Sequence, residues 1–410
     1  MLNSVKFLSY SILLISVYSV LQWSSLSMTI VNNTFFWWLL QALILYNFYK
    51  IGNREIKNKI VSLFLIYVVL SFLYGLYMSG NYWHYKFLVR NTMIFLLPLS
   101  VYVFVEPYRI KTVLKVWFKK ALILLVCISP FIYSDAWGNY LTPFCLFGLF
   151  FGLLPNKWKL LTIFAFVLTL TLGWASRSCT IRFSVAFIIG ILFSLKVSKS
   201  FLLKNLKLIY FVFCCIPFVF FVLGILGVFN ILNVDEELGL SKKYKIFRSE
   251  NKANEATLKD TRTLVYAEVL NSAIENHYTI QGHSLARGYN SVIFGDDVNE
   301  ASGGLLKGER PSSETCILNV FTYMGAIGVF LYMLIFFKST FLAIFHSKND
   351  YVKIVALYVL FRWVYSWIEE LAFFNITYLM LWIMVSMCFS SHFRSMTNQE
   401  FRYWFKSILN

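Results

Sequence analysis

The stretch ERPSSETCILNVFTYMGAIGVFLYMLIFFK, residues 309–338, holds the change of solvent that organises this chain. Polar residues around Glu314 give way, after Thr315, to an apolar run that continues to Phe337. Roughly twenty apolar residues at ~1.5 Å rise each cross a ~30 Å hydrocarbon core, so the run predicts a membrane-spanning helix. Its apolar positions are continuous rather than alternating, which excludes the strand of a barrel. Glu314 stands at the seam as an isolated carboxylate.

Upstream of the seam lies a polar loop from Asn233 to Ser313, roughly eighty residues long. Other connections run from a few residues to about fifteen. A membrane protein with one elaborated loop does its work there, because loops carry function and spans carry scaffold. The rest of the chain is apolar: 59% of residues are hydrophobic, 14% are charged, and mean hydropathy is +0.65. That balance defines a polytopic, all-α membrane protein. About twelve spans are expected, near 7–29, 34–49, 60–78, 91–105, 116–133, 140–154, 160–175, 181–195, 208–232, 315–337, 352–368 and 371–391. The chain then divides into a first transmembrane block (1–232), the loop (233–313), a second block (314–391) and a tail (392–410). Phe401, Trp404, Phe405 and Ile408 recur at helical spacing, so the tail predicts an amphipathic helix lying on the inner leaflet. Residues 1–30 lack a strongly basic start and a small-x-small site and read as a first span.

The net charge of +17 invites a nucleic-acid reading, which its distribution excludes. Lys50, Arg54, Lys57 and Lys59 share one loop, and Arg109, Lys111, Lys115, Lys119 and Lys120 another. Every second loop is basic, the positive-inside pattern. Both termini are then cytoplasmic and the 233–313 loop lies outside.

Within the loop, Asp260 or Thr261 caps an expected helix through Leu264, Val269, Leu270 and Ile274. A second outer segment, Ser79–Arg90, concentrates Tyr82, Trp83, His84 and Tyr85, which act as interface anchors or as a platform for sugar rings. Arg177 and Arg182 flank an outer turn against the positive-inside bias, where they either snorkel to headgroups or grip a phosphate. Arg262, in the first turn of the loop helix, opposes the helix dipole, so an anion or an acidic neighbour accounts for it. Arg287 lies in the segment that begins Gly282-His283. Glu314 is a candidate general base, or a helix N-terminal acid with Ser312 or Ser313 as cap. Glu369 and Glu370, in the short outer turn between the last two spans, either add acid function or are solvated or paired with Arg362. No His, Cys or acidic cluster has metal-ligand spacing, and no Gly-rich loop opens a helix for a nucleotide. Cys179 and Cys316, both near the outer face, leave a bridge open as a minor alternative.

Taken together, these segments resemble the bacterial O-antigen polymerases and ligases. The similarity covers the plan of many spans, one large late outer loop and about three spans after it. It also covers the Ser176-Arg177-Ser178 turn, Thr261-Arg262 through Tyr266 with Asn276 and Gly282, and Glu314 with Asn319 and Gly325-Ala-Ile-Gly328. Ligases carry His where this chain has Glu314, which favours repeat-unit polymerase over ligase. The resemblance implies a glycosyltransferase of GT-C-like architecture in the bacterial inner membrane. It would move a glycan from undecaprenyl diphosphate to a lipid-linked repeat unit at the periplasmic face, inverting, with no metal or cofactor. Glu314 and Arg262 would be catalytic, Arg177, Arg182 and Arg287 would hold the diphosphate, and Trp83, His84 and His283 would contact sugar. Membrane lipids and a chain-length regulator are the implied partners. A lipid-linked oligosaccharide flippase is the rival class; it would line a central cavity with charge.

Overall fold

A computed structural model describes residues 2–22, 24–25, 33–53, 58–172, 177–225, 261–292 and 294–409, with side chains described there except at 2, 135, 220, 223–225 and 261–264. The chain is mostly helical. Its helices are α1 (Leu2–Leu21), α2 (Thr34–Ile51), α3 (Lys59–Met78), α4 (Tyr82–Phe95), α5 (Val101–Phe104), α6 (Pro107–Ile128), α7 (Ser134–Tyr140), α8 (Phe144–Leu149), α9 (Asn156–Leu172), α10 (Arg177–Ser194) and α11 (Lys196–Ile225). After the loop region come α14 (Cys316–Phe345), α15 (Asp350–Tyr365), α16 (Ile376–Phe389), α17 (Ser391–Ser395) and α18 (Asn398–Leu409), with α12 (Thr261–Glu275) and α13 (Gly295–Ser302) inside the loop. Among the described residues six stretches are long and apolar enough to cross a membrane: Asn3–Leu21, Lys59–Met78, Tyr82–Phe104, Arg177–Ser194, Lys196–Val219 and Cys316–Phe345. Their outer faces leave large apolar side chains uncovered, among them Leu63, Ile66 and Leu73 on α3 and Phe201 and Phe211 on α11. Faces of that kind suit lipid rather than water.

The expected spans 34–49, 116–133, 140–154, 160–175, 352–368 and 371–391 are not among these six, and two of the expected spans are built differently. The stretch 91–105 is the second half of a longer one, because helix begins at Tyr82. Asn81 starts it, its side-chain oxygen accepting the His84 amide at 3.0 Å, so the aromatic segment is helical and not an outer loop. Pro98 then forces a 3₁₀ turn over Leu97–Ser100 before α5. The stretch 140–154 is broken into α7, α8 and a 3₁₀ turn at Phe151–Leu153. Pro143 interrupts it, and α8 lies so close to α10 that a Cβ on Gly190 would fall 1.9 Å from the Gly148 carbonyl. The tail also departs from expectation. The apolar stripe of α18 is buried in protein: Phe401 and Phe405 are fully covered, packing on Phe150 and Tyr351, and Trp404 donates to the Pro107 carbonyl at 2.9 Å. Aromatic surface in the bundle takes the face that the sequence assigned to lipid. Cys179 and Cys316 are both buried free thiols.

The loop is built around two short antiparallel strands, β1 (Tyr289–Asn290) and β2 (Glu309–Arg310). It is not draped over the bundle; its backbone enters it. Helix α14 is interrupted at Gly325, whose φ is +61°. The exposed backbone groups of that break pair with the loop. Ala326 and Ile327 amides donate to the Thr279 and Ile280 carbonyls at 2.9 and 3.2 Å. His283 and Ser284 amides donate to the Thr322 and Tyr323 carbonyls at 2.7 and 3.2 Å. Tyr67 of α3 seals the join, its hydroxyl close to the Met324 and Gln281 carbonyls. Irregular backbone inside a span is tolerated where protein satisfies it. Gly282, with φ +84°, completes the contact, since a Cβ there would meet the Met324 amide nitrogen at 2.4 Å.

The start of α14 is held in the same way. Thr315 caps it without a side-chain bond, and the Cys316 and Ile317 amides donate to the Glu369 and Ser366 carbonyls at 3.1 and 3.0 Å. The expected serine cap is replaced by the facing turn, 366–375. Asn319 fixes the seam, its side-chain oxygen taking the Ser313 amide at 2.6 Å and its nitrogen donating to the Ser313 carbonyl at 3.0 Å.

Replacing Gly325 by Ala puts a Cβ 2.2 Å from the Ile280 carbonyl oxygen in a backbone region that side chains avoid. The variant should lose more than about 2 kcal/mol of stability, read as a lower unfolding midpoint in detergent and faster proteolysis of the loop. Gly303→Ala also has positive φ but meets nothing within 4 Å, and should cost about 1 kcal/mol.

Candidate active site at the loop end of the bundle

Strand β2 separates two polar centres, because consecutive residues of a strand point to opposite sides. Glu309 turns into the loop. Its carboxylate accepts from Arg287 Nε at 3.0 and 2.8 Å and from Arg287 Nη2 at 2.6 Å, and it also takes the Gly288 amide. His84 Nε2 lies 4.0 Å away. Arg310 turns the other way. Its guanidinium covers the Phe294 ring at 3.9 Å, donates to the Tyr289 hydroxyl at 3.1 Å and approaches Glu314 Oε1 at 3.5 Å.

Arg310 and Glu314 open onto a cavity of about 360 Å³. Arg90 of α4 enters from one side, and Glu369, Glu370 and Phe373 of the 366–375 turn from the other. Ser313 and Asn319 of the seam and Tyr323 of α14 also line it. Two guanidiniums and three carboxylates thus meet where the loop joins the spans.

The carboxylates are not equivalent. The Glu314 side chain is 57% exposed, and a pair in that setting contributes little beyond orientation. Glu370 is half-buried. Burial pushes its carboxyl up to about 7, against the pull of the Ala372 amide and the Arg90 guanidinium. Its Oε1 accepts the Ala372 amide at 2.6 Å. The carboxyl that burial raises is thus that of Glu370. Glu370 is also not paired with Arg362, whose three guanidinium nitrogens have no hydrogen-bond partner among the described residues.

The remaining sequence-selected residues sit as follows. Arg287 has its fork engaged by Glu309, so it is a strut of the loop rather than an open phosphate ligand. His84 and His283 are buried. His283 stacks on Tyr278 at 4.5 Å with Nδ1 2.7 Å from the Gly288 carbonyl. Burial holds its imidazole below the ordinary range, against that carbonyl and Glu309, which raise it. Neither histidine is a sugar platform. Trp83 is half-exposed with Lys86 Nζ 4.7 Å from its ring. Arg177 is exposed as the first residue of α10. Arg182, one turn further, is buried and donates to the Ser178 carbonyl, Asn139 and Cys179. Arg262 lies in the first turn of α12, its side chain outside the described residues. One turn further along that helix, the Tyr266 hydroxyl donates to the Trp367 carbonyl at 2.6 Å. Asp260 and the expected spans' connection 226–260 also lie outside the described residues.

Arg90, Arg310 and Glu370 were not selected from sequence as the acting groups. A signal for Arg90 was present: with α4 starting at Tyr82, Arg90 lies about 12 Å along the helix, and charge within a span marks function. Among the described residues no group of three His, Cys, Asp or Glu side chains is placed to hold a metal. Comparison of the chain with protein-family models, curated proteins and solved structures finds no match.

Glu309→Gln leaves Arg287 without its anion in a largely buried place. The expected loss is about 2–3 kcal/mol, below the full cost of a broken buried pair because Arg287 is partly exposed. A double-mutant cycle with Arg287→Gln, followed by thermal unfolding, should recover most of that as coupling.

Proposed function

We propose that this protein is a polysaccharide repeat-unit polymerase with about twelve spans in a bacterial inner membrane, both termini cytoplasmic and the 233–313 loop periplasmic. The observation that carries the reading is the cleft itself: two guanidiniums and a carboxyl that titrates near neutrality, at the join between an elaborated loop and apolar helices. The family resemblance of the sequence supplies the substrate class, a glycan on undecaprenyl diphosphate as donor and a lipid-linked repeat unit as acceptor. The basic inner loops support the orientation.

Diphosphate is a good leaving group, so the demand on the protein is to hold charge and move one proton. Arg90 and Arg310 face the departing diphosphate and stabilise the charge that develops on it. Glu370 takes the proton of the acceptor hydroxyl as its oxygen bonds to the anomeric carbon and the glycosyl–phosphate bond breaks, inverting that centre. Glu314, given the base's role by sequence, instead orients Arg310. Lipid tails leave sideways between spans, and the sugars lie under the loop.

Purified protein in bilayer discs, given lipid-linked single repeats and no core acceptor, should make ladders; transfer only to a core acceptor would mark a ligase instead. Glu370→Gln should cut the rate by about a hundredfold or more, and Glu314→Gln by less than about tenfold. Because a raised carboxyl is protonated below its pKa, the rate should climb as pH rises through about 7. Wild-type ladders from Glu370→Gln at normal protein level would sink the assignment.

A further inference from the structure

The cleft's own charges do not favour an anion. Arg90 and Arg310 stand against Glu314, Glu369 and Glu370, two cations against three acids. The balance changes one layer deeper. Arg362, on the last turn of α15, is fully buried, and its Nε, Nη1 and Nη2 have no hydrogen-bond partner among the described residues. Arg182, on the adjacent helix α10, is 4% exposed and among the described residues donates to neutral groups: the Ser178 carbonyl, Asn139 and Cys179. The Tyr358 hydroxyl of α15 donates to the Arg182 carbonyl at 3.3 Å, joining the two helices at this level.

Arg362 sits one helical turn before the 366–375 turn that lines the cleft: the Ser366 amide donates to the Arg362 carbonyl at 3.0 Å, and the Ser366 and Glu369 carbonyls accept in turn from the Ile317 and Cys316 amides at 3.0 and 3.1 Å. A guanidinium cannot escape burial by losing its proton. Uncompensated charge at this depth is costly and is kept where it serves a ligand.

We infer that Arg182 and Arg362 form a buried cationic floor that acts through space, turning the cleft into a site for a multiply charged phosphate anion. Four guanidiniums then face three acids. The field of buried charges is weakly screened by salt, and low-dielectric walls concentrate it at the mouth. Arg362 is thus a positioning residue rather than a contact. The inference rests on the cleft being the diphosphate site, but anion binding can be measured without glycan transfer.

The full chain in phosphatidylcholine discs would be titrated with inorganic pyrophosphate and with farnesyl diphosphate. Arg362→Met should weaken both by about tenfold or more, the effect of removing one weakly screened unit charge, while its unfolding temperature holds or rises. Trp363→Phe, which alters the fully buried neighbour, should lower the unfolding temperature and leave affinity unchanged. Should Arg362→Met fail to accumulate, Arg362→Gln is read identically. Unchanged pyrophosphate affinity in the Arg362 variant, or no binding by the wild type at millimolar anion, overturns the inference. Discs containing phosphatidylglycerol that compete with pyrophosphate would identify a lipid headgroup as the anion's source and support the floor. Arg362-dependent binding without ladders from lipid-linked repeats would overturn the polymerase reading and leave the floor standing.

Discussion

Everything at the loop end depends on the backbone join at Gly325. A helix in lipid must satisfy its own amides and carbonyls, and a break leaves several of them open. Here the 279–284 segment fills the break from outside. The exchange works in both directions, since an extended loop segment alone would also carry unsatisfied groups. Two glycines make it sterically possible: Gly282 and Gly325 bring their backbones within a distance that any Cβ would block. The loop is therefore a fixed part of the bundle, and β2 inherits a defined position. From β2 follows the division of labour between Glu309 and Arg310, one closing the loop and the other facing the cleft.

The same bundle holds its arginines in three different states. Arg287 is neutralised by a bidentate carboxylate and serves structure. Arg90 and Arg310 are half-buried, with aromatic faces beneath them, and both line the cleft. Arg182 and Arg362 are buried away from any carboxylate bond among the described residues. Sequence position alone does not separate these states, because the difference lies in which acids the fold brings alongside. Glu309 lies twenty-two residues from Arg287, and only the β1–β2 pairing places them together.

What the sequence made legible was what is local or periodic. Apolar runs marked the long helices, and the polar-to-apolar change after Glu314 marked the seam to within a residue or two. The α12 helix followed from its spacing, and Gly282 and the Gly325–Gly328 segment stood out before their partnership was visible. Helix boundaries at 82–105 and 140–154 were misread, and the other misreadings were of partners. The amphipathic tail showed a stripe but not its cover, which is aromatic protein surface rather than lipid. Arg287 showed a charge but not Glu309. Glu370 sat in a short turn beside another acid and looked solvated, because the cavity it lines is closed by residues from elsewhere in the chain, Tyr323 and Phe95 among them.

Glu370 also explains why the turn 366–375 has two tasks. Its Ser366 and Glu369 carbonyls cap α14, satisfying amides that no side chain reaches. The same geometry fixes Glu370 at the cleft, where partial burial raises its carboxyl. A carboxyl at about 7 is poised between holding and releasing a proton at physiological pH, which a fully solvated acid is not. Burial pushes that value up, and the Ala372 amide and the Arg90 guanidinium pull it down; its position near neutrality is the balance of these. Capping a helix and tuning an acid are thus one structural act, and a change in the turn should disturb both together.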